Sequence, residues 1–217
     1  VLSWLLLRGR CRDCGIGISP RYPLVELGTA LFFVVIALRF GGAVGSSQLA
    51  PRMVTTLSCL YLGAISVALA MIDIDTRKLP NAIVLPSYPM AAGLLTAAAL
   101  LASEPGRILT ALIGAVSLFG IYLVLALIYP GGMGYGDVKL AGVLGLYLGW
   151  LGWEAAVVGG FAAFLLGGVF SLVLVALRRA NLKSGIPFGP WMIAGAWVGI
   201  LVGAQIASGY LSLFGVG

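Results

Sequence analysis

The sequence of 217 residues contains no histidine, which removes imidazole from any catalytic or metal-binding scheme. Charge is scarce as well: only 9% of residues are charged, and seven of them are acidic. A soluble domain of this size carries roughly a quarter of its residues as charged groups, so a water-soluble globule is excluded. No internal repeat of convincing length and no long soluble domain is visible. What the chain has instead is apolar surface, with 61% hydrophobic residues and a mean hydropathy of +1.10. Its 32 glycines suit transmembrane helices packed at close range, where small residues let backbones approach. The composition is that of an integral membrane protein.

A net charge of +6 could indicate nucleic acid, but the basic residues lie in the gaps between apolar runs. That pattern reports membrane topology rather than a nucleic-acid face, and no nucleic-acid partner is expected. About 20 apolar residues at 1.5 Å each cross a hydrocarbon core of about 30 Å. By that measure seven crossings are expected, at Leu24–Phe40, Met53–Ile72, Ala82–Ala102, Ile108–Tyr129, Val138–Gly149, Trp153–Leu177 and Pro187–Leu211. The fifth is short for a span. With a cytoplasmic N-terminus, ten of the thirteen Lys and Arg fall on the inner side, leaving Arg39, Arg52 and Arg107 outside. The asymmetry holds only if the short fifth segment crosses. Trp150 and Trp153 then bracket an outer turn as interfacial aromatics.

On this map two acids, Asp73 and Asp137, lie at cytoplasmic helix ends of different crossings, at one membrane depth. Asp137 ends the glycine-dense stretch Gly131-Gly132-Met133-Gly134-Tyr135-Gly136-Asp137-Val138-Lys139. Two carboxylates brought close share a proton, so one can activate water while the other polarises a scissile carbonyl. Gly134 and Gly136 permit positive φ and close backbone approach, leaving room for an extended substrate strand. The alternative reading is an interhelical turn with Asp137 capping the next helix, and spacing alone leaves both open. Asp73 has its own alternative, an ion pair with Arg77 at i,i+4. Asp75 is expected to be a solvated acid or a helper rather than the dyad partner, and Asn81 a cap for the following helix. Pro187, Gly189 and Pro190 stiffen the entrance of the last helix and offer one wall of a cleft. Gly195, Gly199 and Gly203 form a flat face on that helix for close contact.

Cys11 and Cys14 have the spacing of half a zinc knuckle. A structural zinc needs four ligands, and Cys59 lies far away in the second apolar run. The opening at Val1 rather than Met leads to the expectation that an N-terminal piece is absent from this sequence.

At these residues the chain resembles the bacterial type IV prepilin peptidases, leader peptidases of the GxGD aspartic protease class (peptidase A24-like). Gly134-Tyr135-Gly136-Asp137-Val138-Lys139 matches the GxGD signature, and Ile72–Asn81 the segment bearing the other catalytic aspartate, Asp73. Pro187–Pro190 is similar to the family's entrance to a late helix, and residues 1–26 resemble the end of its cytoplasmic zinc-knuckle segment. The resemblance implies an all-α polytopic transmembrane bundle. It implies that residues 1–23 are a knuckle remnant and 24–217 the aspartic peptidase domain. It implies catalytic Asp73 and Asp137, with Gly134, Gly136, Lys139, Pro187, Gly189 and Pro190 shaping the site. The implied enzyme sits in the bacterial inner membrane with its site facing the cytoplasm. Its partners are type IV prepilins or pseudopilins and membrane lipid, with a homodimer allowed. Proteolysis needs no cofactor. Many members also methylate the new N-terminus with S-adenosylmethionine. The family usually begins with one more transmembrane helix and a first Cys-x-x-Cys pair, both absent here. Zinc and S-adenosylmethionine are therefore expected only in a longer protein. The competing function class is a small ion- or proton-coupled transporter using intramembrane acids, though its acids would sit near mid-membrane.

Overall fold

The computed structural model describes residues 1–41, 48–129, 133–178 and 187–215. Its helices are α1 (Leu2–Leu6), α2 (Arg21–Phe40), α3 (Leu49–Thr76), α4 (Asn81–Leu101), α5 (Gly106–Ile128), α6 (Tyr135–Leu151), α7 (Trp153–Ala176) and α8 (Gly189–Leu213). Each of the seven apolar runs has become a helix, and among the described residues the only β pairing is one isolated bridge, Arg10 with Gly17. Six helices, all but α1 and α6, are long and apolar enough to cross a membrane. Backbone polar groups have no water to bond in lipid, so helices that satisfy them internally are the form such runs must take. The outward faces stay apolar: Leu38 on α2, Val116 on α5 and Leu172 on α7 are exposed, as a lipid-facing surface requires. The chain is an all-α, multi-pass membrane bundle.

The short fifth run, α6, sits at the centre of that bundle. Its 17 residues rise about 25 Å. Of the residues from Val138 to Trp150, every one except Lys139 is buried. Contacts at its two ends fix its direction. Lys139 Nζ donates to Asn81 Oδ1 at the start of α4 (3.1 Å), while Trp150 Nε1 donates to the Leu95 carbonyl near the end of α4 (3.1 Å). Thus α6 runs alongside α4 nearly from end to end, and it passes from one face of the bundle to the other. Its Trp150 departs from the expected role. The indole is buried beneath the Arg107 guanidinium, 4.8 Å from it, and only Trp153, 50% exposed, has the exposure of an interfacial aromatic.

Glycine contacts draw the helices together in two pairs. The face made by Gly195, Gly199 and Gly203 lies on α7, where a Cβ on Gly195 would come within 2.3 Å of the Ala163 nitrogen. A second seam, between α5 and α6, is built from Gly114, Gly145 and Gly149. There a Cβ on Gly145 would stand 2.5 Å from the Gly114 carbonyl oxygen. Backbone cannot swing aside as a side chain can, so Gly145→Ala must separate the two helices. The expected loss is about 1–3 kcal/mol, read as a lower thermal midpoint in detergent. Gly168→Ala, which meets no atom within 4 Å, is the matched control and should melt with the parent. Equal midpoints for both variants would contradict this packing.

The few interior polar groups are satisfied across helices. Ser58 Oγ donates to the Tyr147 hydroxyl (3.2 Å), which donates to the Ser58 carbonyl (3.1 Å). Trp197 Nε1 donates to Ser66 Oγ (3.0 Å). Such bonds fix the register of α3 against α6 and α8.

Candidate active site

Asp73 lies in the last turn of α3, which continues past the expected end at Ile72 to Thr76. Arg77 then adopts a left-handed conformation (φ 54°), and its N–H bonds the Asp73 carbonyl at 2.8 Å. The chain thereby turns sharply through Lys78, Leu79 and Pro80. Although it is an acid, Asp73 is only 4% exposed. Its Oδ2 accepts the N–H of Gly189 at 3.1 Å. Gly189 is the first residue of α8, and the first N–H groups of a helix lack partners within it. A donor 116 residues away in sequence thus holds the carboxylate. The fit is close, since a Cβ on Gly189 would come within 2.7 Å of Asp73 Oδ2.

Asp137 is the third residue of α6. Its Oδ2 accepts the Gly134 N–H at 3.1 Å, the reach-back arrangement by which an acid in the first turn closes a helix start. The capping alternative therefore describes a real contact, and one that fixes the carboxylate at the mouth of a cavity. Neither Gly134 nor Gly136 has positive φ, so that part of the expectation is corrected. Gly136 serves close approach instead: a Cβ there would lie 3.0 Å from Leu79 Cβ. Leu79 also faces Gly189, with its Cδ2 3.5 Å from where a Cβ would stand. One leucine therefore packs between the start of α6, which carries Asp137, and the start of α8, which supplies the donor to Asp73.

Asp73 and Asp137 line a single cavity of about 350 Å³, together with Leu79, Gly134, Gly136 and Lys139. Arg77 and Lys78 stand at its rim, and Tyr135 is exposed beside them. Lys139 is tied through its ammonium to Asn81 and through its carbonyl to the Tyr88 hydroxyl (2.7 Å). Asn81 makes no side-chain cap to α4, whose N-cap is Pro80; it anchors Lys139 instead. The alternative ion pair between Asp73 and Arg77 does not form among the described residues. Asp75 pairs with Arg21 at 2.8 Å, which links the start of α2 to the end of α3. Pro187 and Pro190 flank Gly189 but do not line the cavity. Phe188 packs away from it against Tyr122 and Phe164. Gly131, Gly132, Arg179 and Lys183 lie outside the described residues.

Cys11 and Cys14 occupy a small turn before α2. Cys11 N–H bonds the Ile16 carbonyl (2.8 Å), and Gly15, at φ +68°, returns its N–H to the Cys11 carbonyl (3.1 Å). Backbone N–H groups of Cys14 and then Asp13 hold the Cys11 thiol below its ordinary pKa. The turn has the form of a knuckle. Among the described residues, however, no group of three or more His, Cys, Asp or Glu comes together, and Cys59 is buried in α3. The residues present do not fit a closed zinc site.

The places of Leu79 and Tyr88 and the donor role of Gly189 are not legible in the sequence. An isolated leucine between Lys78 and Pro80 was the only available signal for Leu79. The other two depend on contacts between distant segments.

The Type IV leader peptidase family matches residues 60–172 of the chain, and the Bacterial Peptidase A24 N-terminal domain matches residues 1–40. The chain is 38% identical to a prepilin leader peptidase/N-methyltransferase of Aeromonas salmonicida (strain A449), over 98% of the chain and 68% of that relative. Identity is 36% to the protein of the same name from Pseudomonas putida, over 99% of the chain and 70% of the relative. It is 34% to that from Bacillus subtilis (strain 168), over 98% and 79% respectively. No solved structure matches the chain.

Proposed function

The chain belongs to the Type IV leader peptidase family, and from that premise we propose that it is a membrane aspartic endopeptidase that removes the leaders of type IV prepilins and pilin-like secretion subunits. The observation that carries the reading is the sharing of one cavity by Asp73 and Asp137 at one end of the bundle. In the proposed mechanism the ionised carboxylate takes a proton from water, and the resulting hydroxide attacks the scissile carbonyl. The protonated partner gives its proton to the carbonyl oxygen. Collapse of the tetrahedral intermediate breaks the C–N bond as a proton passes to the leaving amine. Gly134 and Gly189 hold the two carboxylates by their backbone N–H groups.

By Lys/Arg asymmetry the acid-bearing end faces the cytoplasm, in a bacterial inner membrane. There a substrate helix stays in the bilayer while its cytoplasmic end reaches the cavity, and water enters directly. Residues 1–23 are read as the knuckle segment and 24–217 as the peptidase domain. The relatives' names also carry an N-methyltransferase, and S-adenosylmethionine is the methyl donor that the resemblance implies. The transporter alternative gains nothing from the relatives, and the acids lie at helix ends rather than at mid-span.

The test is to reconstitute the chain in liposomes with a type IV prepilin and measure the product mass. Loss of the leader by a single cut next to the apolar helix is expected. Intact prepilin after incubation with folded protein, while a relative carrying both activities cuts it under the same conditions, would overturn the reading.

A further inference from the structure

At the end of the bundle opposite the acids, three arginines meet around a second cavity. Arg39 stands in the last turn of α2, Arg52 in the first turn of α3 and Arg107 in the first turn of α5. They line a space of about 540 Å³, within the roughly 300–1,000 Å³ typical of ligand pockets. These are also the three basic residues that the topology argument leaves on the outer side.

The charge in this cavity is poorly balanced. Glu104 is the one acid in its lining, and it pairs with Arg107. Arg39 Nε spends one donor on the Leu201 carbonyl at 3.4 Å, and Arg52 makes no ion pair among the described residues. The connecting sequence from 42 to 47 contributes no acidic residue. The N-terminal ends of α3 and α5 and the C-terminal ends of α2, α4 and α6 all border the cavity, so the helix dipoles largely offset one another and its positive charge is that of the arginines. The floor is apolar, built from the buried Trp150, Pro51 and Ala98. Three arginines lining one cavity with an apolar floor at a helix-end boundary suit one ligand chemistry. A phosphate offers several oxygens to the forked N–H donors.

We propose that this cavity binds a phosphate-bearing anion, supplied either by the phosphodiester of a lipid headgroup or as free phosphate. The site is independent of the proteolytic reading, since none of its residues lines the acid cavity.

The experiment uses the full chain in an uncharged detergent and measures bound ligand by native mass spectrometry. The probes are short-chain phosphatidylglycerol, the matching diacylglycerol without phosphate, and inorganic phosphate. Phosphatidylglycerol is expected to bind more tightly than diacylglycerol. Arg39→Gln and Arg52→Gln should each weaken it about fivefold, the effect of one basic residue near a charged membrane surface. Displacement of the lipid by inorganic phosphate would assign the ligand as the phosphate ion. Phosphatidylglycerol binding that inorganic phosphate does not displace would assign it as a lipid headgroup. Equal affinity for the lipid with and without phosphate would overturn the proposal. So would unchanged binding in both variants, with their thermal midpoints at the parental value. Because Arg39 and Arg52 are exposed, their substitution leaves the core packing in place.

Discussion

Asp73→Asn and Asp137→Asn are each expected to reduce prepilin cleavage about 10³-fold or more, within the range in which positioned acid–base groups contribute. Asparagine keeps the shape of the side chain and one carbonyl oxygen. At 137 that oxygen can still accept the Gly134 N–H, and at 73 the Gly189 N–H, so neither contact that holds the side chain need be lost. The thermal midpoints should therefore stay near the parental value while turnover disappears. The double variant makes a sharper test. If the two acids act on one proton and one water, losing the second should add almost nothing to the loss of the first, as for other residues that act as a unit. Losses that multiply would mean two independent roles, and cutting that survives either substitution would remove that aspartate from the chemistry.

Gly189→Ala is expected to lower kcat about 100-fold with little change in KM. A methyl group there would press on Asp73 Oδ2 at 2.7 Å. Gly189 has no positive φ, so the effect is one of space. The carboxylate must turn away and give up its backbone donor, and a displacement of about 1 Å in a reacting group can cost about two orders of magnitude. Comparison with the signature glycines tests the reasoning. Gly136→Ala presses on Leu79 at 3.0 Å and should have a smaller effect, because a leucine side chain can yield by a few tenths of an ångström. Gly134→Ala meets nothing closer than Asp137 Oδ2 at 3.5 Å, an ordinary contact, and should be closest to the parent. Kinetics on the three variants would show whether the order holds. A Gly134→Ala protein worse than Gly189→Ala would mean that the loop works by backbone freedom and not by clearance.

The reach of the sequence argument follows from the physics of each feature. Apolar runs report helices directly, because lipid leaves the backbone no other way to satisfy its polar groups. Counting lysines and arginines places Asp73 and Asp137 at one end of the chain's helices, and the two acids do line one cavity. The glycine spacing on α8 foretold a packing face because a helix repeats every three to four residues. The α5–α6 seam carries fewer such cues on α5, where Gly114 faces Gly145 and Gly149 alone. Contacts between distant segments leave no periodic trace. The Asp73–Gly189 bond spans 116 residues and the Arg21–Asp75 pair 54. Leu79 acquires its place only when α6 and α8 arrive on either side of it. Trp150 was misread for a related reason. Its position next to a turn suggests an interfacial ring, but the indole N–H finds a carbonyl on α4 and the ring is covered by Arg107.

The buried course of α6 bears on how the protein is made. Its 17 residues include Gly136, Gly142, Gly145 and Gly149, and they have almost no face turned to lipid. On leaving the ribosome such a segment has little reason to partition into the bilayer alone. Its preceding neighbour α5 is strongly apolar and offers the glycine seam to pack on, so the two are suited to enter as a hairpin. Two of the helices that cover α6, namely α7 and α8, are synthesised afterwards. The helix that carries Asp137 therefore waits for the last part of the chain before its surroundings are complete, and the N–H donor for Asp73 arrives with that same late part. Both carboxylates are translated well before Gly189, whose N–H holds Asp73, so the surroundings of Asp73 are complete only once the final helix has docked.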